Sequence, residues 1–266
     1  MPNLSKIARN LPYYGKLYLQ ELALALRLAI KGRVHQYQEV RALRAFLRAY
    51  SIDCVFDVGA NHGQYAMMLR KEVGYRGTIL SFEPAPEVFE SLRSKCTRDP
   101  KWHAFHMALS DHEGSAPFHI MAGDQCSSLN APASEMPAPF SEINRVVQTV
   151  DVPLRKLDDL YEEYRQTYGF ERAYLKLDTQ GHDRQVTRGA THCLQSLLGI
   201  QTELAIKMIY EQATDYRVMI DDLDHAGFIP NAFFANNRGH FPLLYEMDGI
   251  FINSRLLSEE NGADAH

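Results

Sequence analysis

The segment from Cys54 to Tyr65, CVFDVGANHGQY, leaves few folds open to this chain. Cys54–Val58 is short, apolar and β-branched, which suits a strand buried in a parallel sheet. Gly59 and Gly63 bracket a turn, and a helical stretch runs from Tyr65 to Lys71. A buried strand that passes directly into a helix opens a doubly wound α/β sheet, where ligands gather beyond the carboxyl ends of the strands. Glycines let a ligand approach the backbone there, and the free N–H groups of the helix's first turn face it.

The turn is not a dinucleotide cradle. Three residues separate Gly59 from Gly63, whereas G-x-G-x-x-G spacing is needed to hold a pyrophosphate, which argues against a nicotinamide-dependent oxidoreductase. A second strand, Thr78–Phe82, ends at Glu83-Pro84, and a carboxylate at that tip can accept hydrogen bonds from both hydroxyls of a ribose. With Asp57 at the end of the first strand, this describes a nucleoside-binding site.

Four segments in order, FDVGANHGQYA, ILSFEPAPEVFESL, HMALSDHEG and YLKLDTQGHDRQVTRGA, resemble the FkbM-type S-adenosylmethionine-dependent methyltransferases over roughly Ile52–Asn253. The resemblance implies a Rossmann-like methyltransferase fold, a mostly parallel sheet closed by a C-terminal antiparallel hairpin. It implies S-adenosylmethionine as cofactor, with Asp57, Gly59, Asn61, Gly63, Glu83 and Pro84 around it. Ser110 and Asp111 fall beside the adenine, and Ser128 belongs to a serine pair close to the cofactor. Asp178 and His182 are the expected catalytic groups, and Glu203, Tyr210 and Asp248 the acceptor-binding ones. Where many relatives have an acidic residue before the glycine and Glu two positions after it, this chain has Gln180 and Asp183, so no metal is assigned. The expected reaction is O-methylation of a sugar or related polyol, since carboxylates grip sugar hydroxyls well and a hydroxyl acceptor needs a base. The alternatives are a non-catalytic nucleoside-binding module of the same fold and a nicotinamide-dependent oxidoreductase.

Helical spacing over Pro12–Lys31 and Gln36–Ala49 predicts an N-terminal helical cap (1–50), followed by the methyltransferase domain (51–256) and a disordered tail (257–266). Within the domain, a helix is expected over Glu87–Cys96 and a third strand over Trp102–Leu109, with Trp102, His103 and His106 as structural residues. An extra strand over Ser115–Met121 precedes a loop rich in Pro, Ser and Ala, Ala122–Val146, whose length marks it as a lid. Val147–Leu154 is a strand and Leu157–Tyr168 a helix. Ala173–Leu177 then delivers Asp178, and a helix runs to about Cys193. Ile200–Leu204 carries Glu203, Tyr216–Ala226 is a helix, and Phe228–Phe234 pairs with Tyr245–Ile252.

Charge is uneven. The first fifty residues hold nine Lys and Arg against Glu21 and Glu39, a net of +7 in a chain of net −5, which leaves −12 for the rest. A basic segment of this kind is a solvated face, a contact for an anionic membrane surface, or a dock for a second copy in a homo-oligomer. The acidic remainder lacks the basic and aromatic interleaving of a nucleic-acid groove. The four cysteines show no C-x-x-C spacing, and no apolar run reaches the length of a membrane span or signal core. The expectation is a cytoplasmic enzyme acting on a small-molecule or glycan acceptor.

Overall fold

The computed structural model describes residues 13–235 and 242–256, so the expected tail from 257 lies outside the described residues. In chain order come α1 (Tyr13–Ile30), α2 (Tyr37–Ala49), β1 (Cys54–Val58), α3 (Gln64–Met68), β2 (Thr78–Phe82) and α4 (Pro86–Cys96). Next are β3 (Trp102–Phe105), β4 (Ala108–Leu109), β5 (Gly114–Met121), α5 (Ala138–Ser141), β6 (Val146–Arg155) and α6 (Leu157–Tyr168). The chain continues through β7 (Ala173–Leu177), α7 (Asp183–Arg188), β8 (Leu197–Ala205), α8 (Tyr216–His225), β9 (Phe228–Ala235) and β10 (Glu246–Asn253).

The main sheet has the order β3-β2-β1-β7-β8-β10-β9. Its first five strands are parallel, and β10 closes it antiparallel to both β8 and β9. Every residue of β1 and β7 is buried, as central strands covered on both faces must be. On one face Phe56, Phe82 and Leu175 pack with Leu157, Tyr161 and Tyr164 of α6 and Leu223 of α8. On the other, Val55, Ile79 and Tyr174 meet Leu24 and Leu28 of α1, Val40, Leu43 and Phe46 of α2, and Leu92 of α4. The N-terminal helices therefore complete a layer of the doubly wound sheet. Gly199 is required beneath them, since a Cβ there would lie 2.5 Å from the Phe46 ring.

Two expected elements end early. The third strand breaks after Phe105: β3 pairs with β2, whereas β4 pairs with β6 in a separate sheet of order β4-β6-β5. The break falls at His106, whose ring stacks on Phe89 at 4.7 Å and whose Nε2 lies 3.0 Å from the Pro84 carbonyl. The helix expected to reach Cys193 stops at Arg188, because Gly189 packs so closely on Ser110 that a Cβ would come within 1.9 Å of its carbonyl oxygen. Trp102 is buried and donates from Nε1 to Ser81 Oγ at 2.9 Å, a packing role.

Candidate functional site

A cavity of about 300 Å³ opens at the carboxyl ends of β1, β2, β7 and β8, beneath the long loop between β5 and β6. Its volume lies at the small end of the range for small-molecule sites. Gly59, Asn61, Glu83, Pro84, Asp178, His182 and Glu203 line it, together with Lys176, Gln180, Glu246 and the loop residues Asp124–Ser127, Leu129, Phe140 and Ile143.

The turn after β1 is shaped by its glycines. Gly59 has φ +76°, and a Cβ on it would fall 1.9 Å from the Asp178 carbonyl oxygen, so β1 and β7 close together only over a bare Cα. Gly63 serves packing instead: its missing Cβ leaves room for the Trp102 ring and Leu92, and it does not reach the cavity. Glu83 spans the turn, its Oε2 accepting from Asn61 N–H and its Oε1 from Ala85 N–H, each at 2.8 Å. Burial pushes its carboxyl up to about 7, against the pull of those two donors.

Asp57 lies under the site. It is fully buried at the centre of a polar row on the face of the sheet that α1 and α2 cover. Ser81 donates to Asp57 Oδ2 at 3.0 Å, and Lys176 Nζ sits 3.7 Å from Asp57 Oδ1 and 3.1 Å from Asp178 Oδ2. The Lys176 ammonium also stands 5.1 Å over the Tyr65 ring. The Tyr65 hydroxyl donates to Gln201 Oε1 and Gln201 Nε2 to Glu39 of α2, both at 2.9 Å. Burial works against the Lys176 charge, yet Asp178 and Asp57 hold its pKa above the ordinary lysine value. Among the described lining residues it is the one Lys or Arg beside several carboxyls.

Asp178 is held from both sides, its Oδ2 by Lys176 and its Oδ1 by Gln180 Nε2 at 2.7 Å. The Gln180 amide continues to Glu203 Oε2 at 3.2 Å, and its Oε1 lies 2.8 Å from the Tyr210 hydroxyl. Gln180 adopts a left-handed φ of +54°, a strained backbone fixed by these bonds. Across the β8–β10 ladder Asp248 faces Glu203, with Glu246 two residues along on the same side. Burial, then the charge of Asp178, raises Glu246 to about 7; burial, then Glu246, pushes Glu203 well above the ordinary glutamate value. The two carboxyls are hydrogen-bonded to each other.

His182 lines the cavity with both ring nitrogens engaged, Nε2 3.0 Å from Ser110 Oγ and Nδ1 3.5 Å from Asn130 Oδ1. Burial lowers its pKa to about 4, so the ring is neutral at neutral pH. Ser110 is thus a partner of His182 away from the cavity wall, and Asp111 binds His112 on the surface. Asp183 accepts from Thr179 N–H at 2.8 Å and Thr202 Oγ1 at 2.7 Å, tying the turn after β7 to β8.

The long loop is latched to this floor. Asn61 Nδ2 donates to the Asp124 carbonyl at 3.2 Å, and His62 Nε2 lies 2.9 Å from Asp124 Oδ2. Ser128 Oγ donates to the Gln180 carbonyl and the Tyr210 hydroxyl reaches the Cys126 carbonyl, both at 2.8 Å. Ser128 and Tyr210 therefore hold loop to floor, and with Asp57, Gly63, Ser110, Asp111 and Asp248 they stand outside the cavity wall.

Lys176 and Glu246 are wall residues that sequence reasoning passed over. Lys176 is hidden in an apolar strand pattern, and Glu246 becomes visible only when β10 is set in register against β8. Among the described residues, no group of three His, Cys, Asp or Glu is placed to hold a metal ion.

A family model described as the methyltransferase FkbM domain matches residues 57–230. The 2-O-methyltransferase NoeI of Sinorhizobium fredii is 25% identical over 208 residues, which cover 76% of this chain and 80% of that protein. Among solved structures, methyltransferase FkbM from Methylobacillus flagellatus aligns with a TM-score of 0.45 at 12% identity, over 75% of this chain and 43% of that one. Magnesium protoporphyrin IX methyltransferase (ChlM) from Synechocystis, with bound SAH, aligns at 0.46 and 10% identity, over 83% and 84%. The matched span of the family model begins at Asp57 and takes in every residue of the cavity wall except Glu246, and on that match the chain belongs to the FkbM methyltransferase family.

Proposed function

We propose that the protein transfers a methyl group from S-adenosylmethionine to a hydroxyl of a sugar or related polyol, within a polysaccharide or glycoside. Glu83 carries the cofactor reading. A carboxylate offers about four acceptor sites, and the two N–H bonds leave the others free at the cavity wall for a pair of ribose hydroxyls. Gly59 and Asn61 set the adjoining backbone, and Pro84 adds an apolar edge. When bound, S-adenosylmethionine supplies an electrophilic methyl on its sulfonium.

The chain's own residues then have two tasks, orientation and proton removal. Well-aligned reactants gain about 7–11 kcal/mol, whereas a positioned base contributes roughly a hundred- to ten-thousand-fold. Asp178 would accept the acceptor's hydroxyl proton as the bond from methyl to sulfur breaks and that from methyl to oxygen forms, its two oxygens aimed by Lys176 and Gln180. Glu203 and Glu246 grip neighbouring hydroxyls. His182, neutral and tied to Ser110 and Asn130, positions the turn that carries Asp178 and Gln180. The carboxyl-rich wall supports a polyol acceptor, as does the name of the Sinorhizobium fredii relative, a 2-O-methyltransferase.

The test is calorimetric binding of S-adenosylmethionine to wild type and Glu83→Ala, followed by transfer of labelled methyl to a panel of oligosaccharides and polyols. Two charge-assisted hydrogen bonds of about 1.5–3 kcal/mol each imply at least a tenfold weaker dissociation constant for the variant. Equal affinity in both proteins would remove the ribose assignment, and methyl transfer confined to thiol or amine acceptors would remove the polyol one.

A further inference from the structure

A helix on the surface of a folded domain turns its apolar residues inward and its polar ones to water. α1 is apolar on both sides. Leu24 and Leu28 are buried against α2 and the sheet, and Arg27 and Lys31 both pair with Glu72 on the body of the domain. Arg27 also donates to the Lys71 carbonyl at 3.0 Å, and Glu21 accepts from the Tyr37 hydroxyl at 2.6 Å, so the rotation of the helix is fixed. The opposite side presents Tyr18, Leu22, Leu26 and Ile30 at intervals of four residues, 73, 56, 60 and 79% exposed.

Two occupants fit an outward apolar row, a second copy of the chain or a lipid surface. The row is about 18 Å long at 1.5 Å per residue and about one helix wide, a footprint of roughly 200 Å² against about 800 Å² on each partner of a stable pair. A bilayer sets no such minimum. Charge separates them further: Arg27 and Lys31, 54% and 41% exposed beside the row, share the single carboxylate of Glu72 and so leave a positive balance, in a segment of net +7. Cations along an apolar stripe match anionic headgroups above an acyl boundary.

We propose that the outward face of α1 seats the protein on an anionic lipid bilayer, with Tyr18, Leu22, Leu26 and Ile30 entering the headgroup–acyl boundary and the flanking cations meeting lipid phosphates. This is peripheral binding, since no helix among the described residues is long and apolar enough to cross a membrane.

The experiment floats the full chain through a density gradient with vesicles of equal parts phosphatidylglycerol and phosphatidylcholine, or of phosphatidylcholine alone. Wild type is expected to float with the anionic vesicles and at least about tenfold less with the neutral ones, and to detach in high salt. Leu22→Glu/Leu26→Glu is expected to lose flotation at least about tenfold with an unchanged melting temperature, because both side chains face outward. Leu22→Ser/Leu26→Ser repeats the test without added charge and covers a failure of the first variant to fold. No flotation of wild type, equal flotation on both vesicles, or wild-type flotation of the serine variant would each overturn the proposal. A wild-type dimer in size-exclusion chromatography that the serine variant converts to monomer would assign the face to a second copy and overturn it too.

Discussion

Replacing Lys176 with methionine keeps the length and most of the volume of the side chain while removing the charge that Asp57 and Asp178 share. Asp57 is fully buried, and apart from Lys176 at 3.7 Å its Oδ1 has no partner. Removing one member of a buried pair typically costs about 3–5 kcal/mol, because the surviving charge is left uncompensated. At roughly 2 °C per kcal/mol for a chain of this size, the melting temperature should fall about 6–10 °C at pH 8. The sign with pH follows from two raised pKa values. Lys176 is raised, so its contribution persists until pH passes the ordinary lysine range. Asp57 is raised by burial, so its neutral form favours the fold at low pH and that contribution is lost as pH climbs through its folded value. The variant should therefore lose clearly less stability at pH 5 than at pH 8. Urea denaturation of wild type, Lys176→Met and Lys176→Met/Asp57→Asn at both pH values measures this, and the double variant should recover about half of the loss at pH 8. Equal losses at the two pH values, with no recovery in the double variant, would refute the buried-charge account.

Asp178→Asn should leave cofactor affinity within about threefold and lower single-turnover methyl transfer at least a hundredfold, while His182→Gln, replacing a neutral ring, should cost less than about tenfold with the pH profile unmoved. If only the histidine change abolishes transfer, the base assignment is reversed. Glu246 is raised to about 7, so the stability of its protonated form is complete below the ordinary glutamate value and lost as pH rises through 7. Glu246→Gln should accordingly gain on the order of 2–3 kcal/mol over wild type at pH 8 and almost nothing at pH 4.5, read from denaturation midpoints. Gly59→Ala places a methyl against the Asp178 carbonyl in a left-handed conformation, which alone costs about 1–2 kcal/mol. Calorimetry should show at least tenfold weaker S-adenosylmethionine binding, and wild-type affinity would separate this turn from the cofactor site.

The central strands were readable because local composition suffices for them: Cys54–Val58, Thr78–Phe82 and Ala173–Leu177 form over the expected residues, as does the helix Leu157–Tyr168. What local pattern lacks is the identity of a strand's neighbour. Trp102–Leu109 reads as one strand, yet Phe105 and Ala108 belong to different sheets, a choice made by distant β2 and β6. The same blindness hid the site's charge balance, since Lys176 draws its meaning from Asp57 on the adjacent strand and Glu246 from Glu203 on β8, a strand that α8 and β9 separate from β10 in the chain. Ser110 illustrates the reverse case: its place after a strand suggests a ligand contact, but its hydroxyl is taken by His182.

The loop over the cavity begins at the end of β5 and returns at the start of β6, and these two strands are antiparallel neighbours, His119 opposite Thr149. Its ends are therefore already brought together by a rigid stem outside the main sheet. For a loop closed in this way, doubling its length adds only about 0.6 kcal/mol of closure entropy. The roof of the cavity thus hangs on its own stem: a segment of different length grafted between Met121 and Val146 gives up the latches of Asp124 to Asn61 and His62 and of Ser128 to Gln180, but leaves the pairing of β1, β2 and β7 intact. On the acceptor assignment proposed above, relatives that share one methyl donor can diverge in the molecules they modify by rewriting a hairpin tip.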